Sequence, residues 1–264
     1  MLHHGALTLL TIAHLTAGRV VLLVLVGFGA GLFNGVAGGG TLISFPVLLA
    51  LGYPALIANV TSTVGIWPGY LGGVAGFRRE IADQRDRFRV LTPITVLGAT
   101  LGAILLLTTP SSAFTRLAPW LVLFATVLFA LGPLLARWLA GEGAVLQTRP
   151  IALGAGMFFA AIYGGYFGAA MGVVMLAVLG LTLPDTLARA GGIRTVLSVV
   201  ANGVAAIVFI IHGHLQWEAA GWLALGSLVG GYAGAVLARK LPSSILRVII
   251  VAIGLATGIR LLVG

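Results

Sequence analysis

The chain has 264 residues, of which 59% are hydrophobic and 8% charged, with a net charge of +9 and no cysteine. An ordinary soluble domain carries about 25% charged residues. A mean hydropathy of +1.13 therefore excludes a soluble fold, and the absent cysteine excludes disulfide and thiol chemistry. Apolar runs long enough to cross a bilayer recur along the whole chain, which predicts an all-α polytopic membrane protein. The basic balance is not a nucleic-acid footprint, because most arginines fall in short loops, as the positive-inside rule requires.

Met1 to Gly18 is apolar and holds His3, His4 and His14 but no Lys or Arg. Without a positive n-region it reads as a short lead-in, not a cleaved signal, and its histidines read as solvated. The first long segment runs from Arg19 to Val36. Gly27, Gly31 and Gly35 recur every fourth residue and make one small face for close helix contact.

The stretch Asn34-Gly35-Val36-Ala37-Gly38-Gly39-Gly40-Thr41 follows. Each glycine costs a helix roughly 1 kcal/mol relative to Ala, so three in a row predict a break. At membrane depth a break survives only where protein buries it or where it lines a cavity. Thr41 to Leu51, with Pro46, is too short to span an ordinary bilayer. After the turn Gly52-Tyr53-Pro54, a span from Ala55 to Phe77 carries Asn59, Thr61, Ser62 and Thr63, then Trp67-Pro68-Gly69. Arg78 to Arg89 holds five arginines and three acids and predicts a solvated loop that sets orientation. A span from Val90 to Leu107 has a Gly98-xxx-Gly102 pair. Thr108 to Ala118 reads as a linker, Pro119 to Ala140 as a span kinked at Gly132-Pro133, and Gly141 to Pro150 as a closing loop.

The order then repeats. Ile151 to Phe167 leads to a second break around Gly164-Gly165 and Gly168-Ala169-Ala170-Met171-Gly172. A short segment, Met171 to Leu181, ends near Pro184-Asp185. Next come a long span from Thr186 to Ile211, the polar turn His212 to Gln216, a span from Trp217 to Ala238, the loop Arg239 to Ser244, and a last span from Ile245 to Leu262. Leu51-Gly52 matches Leu179-Gly180, Pro54 matches Pro184, Ala58 matches Ala188, and Gly73-Val74-Ala75 matches Gly203-Val204-Ala205. The expectation is one transporter domain built from two copies, about 19–140 and 151–262. If all five elements of each half cross, the copies are inverted. The Arg78–Arg89, Arg137/Arg149 and Arg239/Lys240/Arg247 loops then share one side, and Arg19, Arg116 and Arg260 lie opposite. If the short elements are re-entrant, the copies are parallel and Arg239, Lys240 and Arg247 fall outside. The charge distribution favours the inverted arrangement.

The acids are Glu80, Asp83, Asp86, Glu142, Asp185 and Glu218. Only Asp185 approaches the membrane interior, where it reads as the N-cap of the following helix. An aspartyl protease needs two buried acids and a metalloenzyme needs clustered ligands. Neither set is present, His212 and His214 have poor metal spacing, and no serine has a histidine partner at depth. The chain reads as no enzyme, with no metal and no cofactor. It also lacks an obvious acid for proton coupling or for a cation substrate.

What the spans hold is positive or neutral. Arg189 either pairs with Asp185 at i,i+4 or contacts substrate. Arg194 lies deeper, without an acid along its helix, and either binds an anion, snorkels or contacts backbone. Asn59, Thr61, Ser62 and Thr63 can donate to an anion or join helices. Gly38, Gly39, Gly40 and Gly168 let backbone approach a ligand or simply allow tight packing. Helix N-termini at Thr41 and near Met171 would aim positive dipole ends at the same place.

Gly31 to Thr63, with Gly38-Gly39-Gly40, Pro46, Leu51-Gly52 and Ala58 to Ser62, resembles the TauE/SafE sulfite exporter family, also called the sulfonate-uptake permease family. Tyr163 to Gly203 resembles its second copy, although Gly168-Ala169-Ala170-Met171-Gly172 replaces a glycine triplet and no proline matches Pro46. The resemblance covers about residues 20 to 262. It implies a multi-pass protein of the bacterial inner membrane that transports small sulfur-containing anions such as sulfite, sulfoacetate or organosulfonates. The partners it implies are a small anionic substrate and the lipid bilayer, with no nucleic acid. A channel-like anion pore and a membrane assembly subunit without transport of its own are the rival readings.

Overall fold

A chain this apolar, placed in a bilayer with no water to satisfy its peptide groups, must close its backbone hydrogen bonds within helices. The computed structural model describes residues 16–36, 38–140, 147–237 and 243–263. His3, His4, His14, Ala37, Glu142, Arg239 and Lys240 lie outside the described residues. The described helices are α1 (Ala17–Val36), α2 (Thr41–Ala50), α3 (Ala55–Gly76), α4 (Arg78–Ile81), α5 (Arg85–Thr108), α6 (Ser111–Ala140), α7 (Pro150–Tyr166), α8 (Met171–Thr182), α9 (Leu187–His212), α10 (Trp217–Leu237) and α11 (Ser243–Val263). Helices α1, α5, α6 and α9 are each long and apolar enough to cross a membrane. The all-α polytopic class is as expected.

Two boundaries and one repeat pairing differ from the expectation. The arginine-rich stretch is not all loop, since it holds α4 and the first turn of α5. Thr108 to Ala118 is not a linker, because α6 already starts at Ser111. Pro110 stops α5, having no N–H to donate, and its carbonyl then accepts from the Ala113 and Phe114 amides at 2.9 and 3.0 Å. Gly180 lies inside α8, whereas Gly52 forms a turn with φ 92°, so the Leu51-Gly52 and Leu179-Gly180 pairing does not hold in the structure.

Glycine faces set the packing. Gly27 and Gly31 of α1 lie against the backbone of Leu223 and Ser227 of α10, and Gly226 and Gly230 of α10 lie against Val24 and Phe28 of α1. A methyl at any of these four overlaps main-chain atoms of the partner helix. Gly98 and Gly102 of α5 meet Phe158 and Ile162 of α7 in the same way. Such approach is how membrane helices gain dispersion contact, since lipid is as apolar as leucine.

These contacts also give direction. Residue numbers rise together along α1 and α10, and along α5 and α7. Gly65, Gly69 and Gly72 of α3 meet Leu223, Ser227 and Gly231, so α3 runs parallel to α10 and therefore to α1. The short α2 must then carry the chain back between α1 and α3. Helices α3 and α9 are antiparallel: Phe77 faces Gly191, and Trp67 faces Gly203. Helices α6 and α11 are antiparallel too, with Thr126 at Gly254 and Leu123 at Gly258. The packing has a reciprocal form, in which α10 lies on α1 and α3 while α5 lies on α7 and α9.

Candidate functional site

The two glycine breaks close with the same hydrogen bond. The Gly38 amide donates to the Phe33 carbonyl at 3.0 Å, and the Gly168 amide donates to the Tyr163 carbonyl at 3.2 Å. Both glycines have φ 77°, a left-handed conformation that costs an L side chain about 1–2 kcal/mol. After the first break the Gly40 amide donates to Asn34 Oδ1 at 2.8 Å and α2 begins. After the second, Ala170 takes φ 57° and α8 begins.

The breaks meet each other. A Cβ on Gly38 would stand 3.4 Å from Gly172 Cα and 3.6 Å from Arg194 Nη1. A Cβ on Gly168 would stand 3.4 Å from Asn202 Oδ1 and 4.0 Å from Thr41 Oγ1. The Tyr70 hydroxyl of α3 faces Thr41, Asn202 and Arg194. The start of α2, the start of α8 and the middle of α9 thus enclose one polar locus built from both halves.

Arg194 is the charge at this locus. It is 7% exposed. Its Nη2 donates to Thr195 Oγ1 at 3.3 Å, and its Nε has no partner. The ion pairs among the described residues are Arg87–Asp185, Arg89–Asp86 and Arg189–Asp185, and none includes Arg194. An uncompensated buried charge is expensive, which is why buried charges are normally paired. Two helix N-termini add positive partial charge to the same place. The arrangement offers positive charge and hydrogen-bond donors, with no carboxylate paired to Arg194 among the described residues.

The other expected residues divide. Gly38, Thr41, Gly168 and Arg194 come together as described. Gly39 and Gly40 line the break but serve packing: a methyl on Gly39 would press on the Phe129 ring, 2.7 Å from Cε2, and Gly40 sits against Ala30 and Asn34. The hydroxyls of α3 are engaged elsewhere. Thr61 Oγ1 accepts from the Gln216 amide at 3.1 Å. Ser62 shares a 2.6 Å hydrogen bond with Ser44, and Thr63 donates to the Asn59 carbonyl at 3.0 Å. Asn59 Nδ2 donates to the Tyr166 carbonyl at 3.0 Å, tying α3 to the second break.

Arg189 does not join the locus. Its guanidinium pairs with Asp185 at 3.1 Å, which is the i,i+4 alternative. Asp185 is not the helix N-cap. That role falls to Thr186, whose hydroxyl accepts from the Arg189 amide at 3.4 Å. Burial would raise the Asp185 carboxyl, but hydrogen bonds from Arg87, the Thr186 amide and Arg189 outweigh it and hold the group below its ordinary value.

Sequence reasoning missed Tyr70 and Asn202. Asn202 offered a signal, being an amide carried deep in a long apolar span beside Gly203, where an unsatisfied amide would be costly. Tyr70 offered none beyond its place before Gly72-Gly73.

The family model of the sulfite exporter TauE/SafE matches residues 23–261. A "Probable membrane transporter protein" of Haemophilus influenzae is 27% identical over 243 residues, covering 88% of this chain and 90% of that protein. The "Probable membrane transporter protein YfcA" of Escherichia coli is 25% identical over 234 residues, covering 88% and 86%. The "Probable membrane transporter protein ORF9" of a Sinorhizobium species is 26% identical over 250 residues, covering 91% of each. No solved structure matches the chain significantly.

Proposed function

The chain belongs to the TauE/SafE sulfite exporter family, a family of membrane transporters, and on that premise we propose that it is a secondary carrier for a small sulfur-containing oxyanion. Sulfite, sulfoacetate and organosulfonates are the substrate class. The observation that carries the reading is Arg194, buried without a carboxylate where the two breaks meet. The bound anion supplies the missing counter-charge. Tyr70, Thr41 and Asn202 supply hydrogen bonds, and the glycines keep Cβ atoms out of its way.

The two halves are inverted copies that rock against each other about this locus. Three observations support the duplication: the matching closures at Gly38 and Gly168, the antiparallel pairing of α3 with α9 and of α6 with α11, and the reciprocal packing of α5 and α10. The end carrying Arg78, Arg79, Arg85, Arg87 and Arg89 faces the cytoplasm of a bacterial inner membrane, by the positive-inside rule. Export of a monoanion down an inside-negative potential gains about 2.3 kcal/mol per 100 mV, so export needs no proton-coupling acid.

Purified protein in proteoliposomes tests the proposal, with sulfite, sulfate, thiosulfate, sulfoacetate and taurine as solutes. Saturable flux with counterflow for one sulfur oxyanion is expected. Flux without saturation or counterflow would indicate a pore, and no flux of any of these solutes would overturn the reading.

A further inference from the structure

We infer that Gln84, Arg87, Asp185 and Arg189 form a clasp that shuts the arginine-rich end of the path to Arg194, and that the site opens to that face when the clasp releases. The inference rests on the transport reading and names the gate that reading requires.

Gln84 is the unexpected residue. It lies in the most charged stretch of the chain, yet it is 2% exposed. Its Nε2 donates to the Glu80 carbonyl at 2.6 Å and to the Arg189 carbonyl at 3.0 Å. Its Oε1 accepts from Arg87 Nη1 at 2.7 Å. Arg87 also donates to Asp185, which holds Arg189 as well. One side of this network is the α4–α5 connection of the first half. The other is the start of α9 in the second half. The clasp therefore joins the two halves at one end.

Its position relative to the site follows from α9. Arg189 and Arg194 are five residues apart, about 7.5 Å along the axis. Between them lie Gly191 and Gly192. A Cβ on Gly191 would be 3.2 Å from the Phe77 ring, and a Cβ on Gly192 would be 3.2 Å from Glu80 Cβ. Helix α4 thus lies across α9 less than a turn outward of Arg194, and the two glycines let it lie close.

The means of attachment suits a gate. No residue of α4 is buried, so little apolar surface holds it down. Polar contacts at a protein end exchange for water at small net cost, unlike the backbone-to-backbone glycine seam of α1 and α10. The connection can leave α9 without opening the core.

The natural chain has no cysteine, so a single Ser198→Cys serves as reporter. Ser198 is buried one turn beyond Arg194 on α9. The reporter is placed in vesicles of known orientation and labelled with a membrane-impermeant thiol reagent added at the arginine-rich face. Asp185→Asn and Gln84→Met, each tested separately in material that elutes monodisperse, should speed labelling by about ten-fold, the shift that one lost charge-assisted hydrogen bond supplies. Labelling from the opposite face should not speed up. Unchanged labelling in both variants would overturn the clasp, as would equal acceleration from both faces, which reports a loosened fold. The failures are separable. Faster labelling without anion flux leaves the clasp standing and refutes the transport reading, whereas Arg194-dependent flux with unchanged labelling refutes the clasp alone.

Discussion

Replacing Gly38 by alanine separates a binding role from a backbone role. The residue has φ 77°, so the substitution costs stability by about 1–2 kcal/mol through backbone strain alone. Space is not the problem, because the new methyl would meet Gly172 Cα at 3.4 Å and Arg194 Nη1 at 3.6 Å, ordinary contacts both. Yet a methyl 3.6 Å from Nη1 would crowd an anion oxygen that accepts from the guanidinium on that side. Losing one hydrogen bond to a charged group is worth about 1.5–3 kcal/mol, so affinity should fall about ten-fold or more. Gly52 is the control. It has φ 92° and nothing within 4 Å of a built Cβ, so Gly52→Ala carries a similar strain and no steric effect. The assay pairs thermal unfolding in detergent with sulfite binding by calorimetry. Both variants should lose similar stability, and only Gly38→Ala should lose affinity. Equal affinity in the two variants, or equal loss, would refute the reasoning.

Gly31→Val places a branched side chain into the Ser227 backbone; it should force α1 from α10 and lower stability by more than 2 kcal/mol, roughly the upper part of the overpacking range, read as the unfolding midpoint. Tyr70→Phe removes one hydroxyl facing Thr41, Asn202 and Arg194; it should weaken anion binding about two- to ten-fold, the net worth of one hydrogen bond, with little change in apo stability. The carboxyl of Asp185 is held below its ordinary value of 3.8, so the stability it contributes is present in full above that pH and is lost as pH falls through the lower folded value. Asp185→Asn should therefore flatten the acid limb of stability measured below pH 3.8. A mutant with the same acid limb as the parent would contradict the ion-pair account.

The helices were legible because apolar runs bounded by Gly, Pro and Arg leave few alternatives. The break at Gly38 was visible for the same reason. What the sequence hid was partnership. Thr61, Ser62 and Thr63 look like ligands in a string, but a helix turns them about 100° apart per residue, and each finds its own neighbour in Gln216, Ser44 or Asn59. Arg189 and Arg194 look alike in the chain, yet Asp185 holds the first in an end cluster with Arg87, and no carboxylate pairs with the second among the described residues. The stretch before Pro119 is helix and not linker because membrane helices tolerate an internal proline, and Pro119 lies well inside α6. Tyr70 and Asn202 become site residues only when α3 and α9 cross beside the breaks, which no local pattern encodes.

The central claim is that Arg194 waits for an anion. Arg194→Gln in the purified protein tests it most directly, with thermal stability measured with and without sulfite. A ligand at 100 times its Kd stabilises the parent by about 2.7 kcal/mol. The variant should show no such gain, while its unliganded form should be at least as stable as the parent, because an uncompensated buried cation has been removed. A variant that is destabilised without ligand yet keeps the full sulfite-dependent gain would contradict the account, for Arg194 would then be a structural residue and the anion would bind elsewhere.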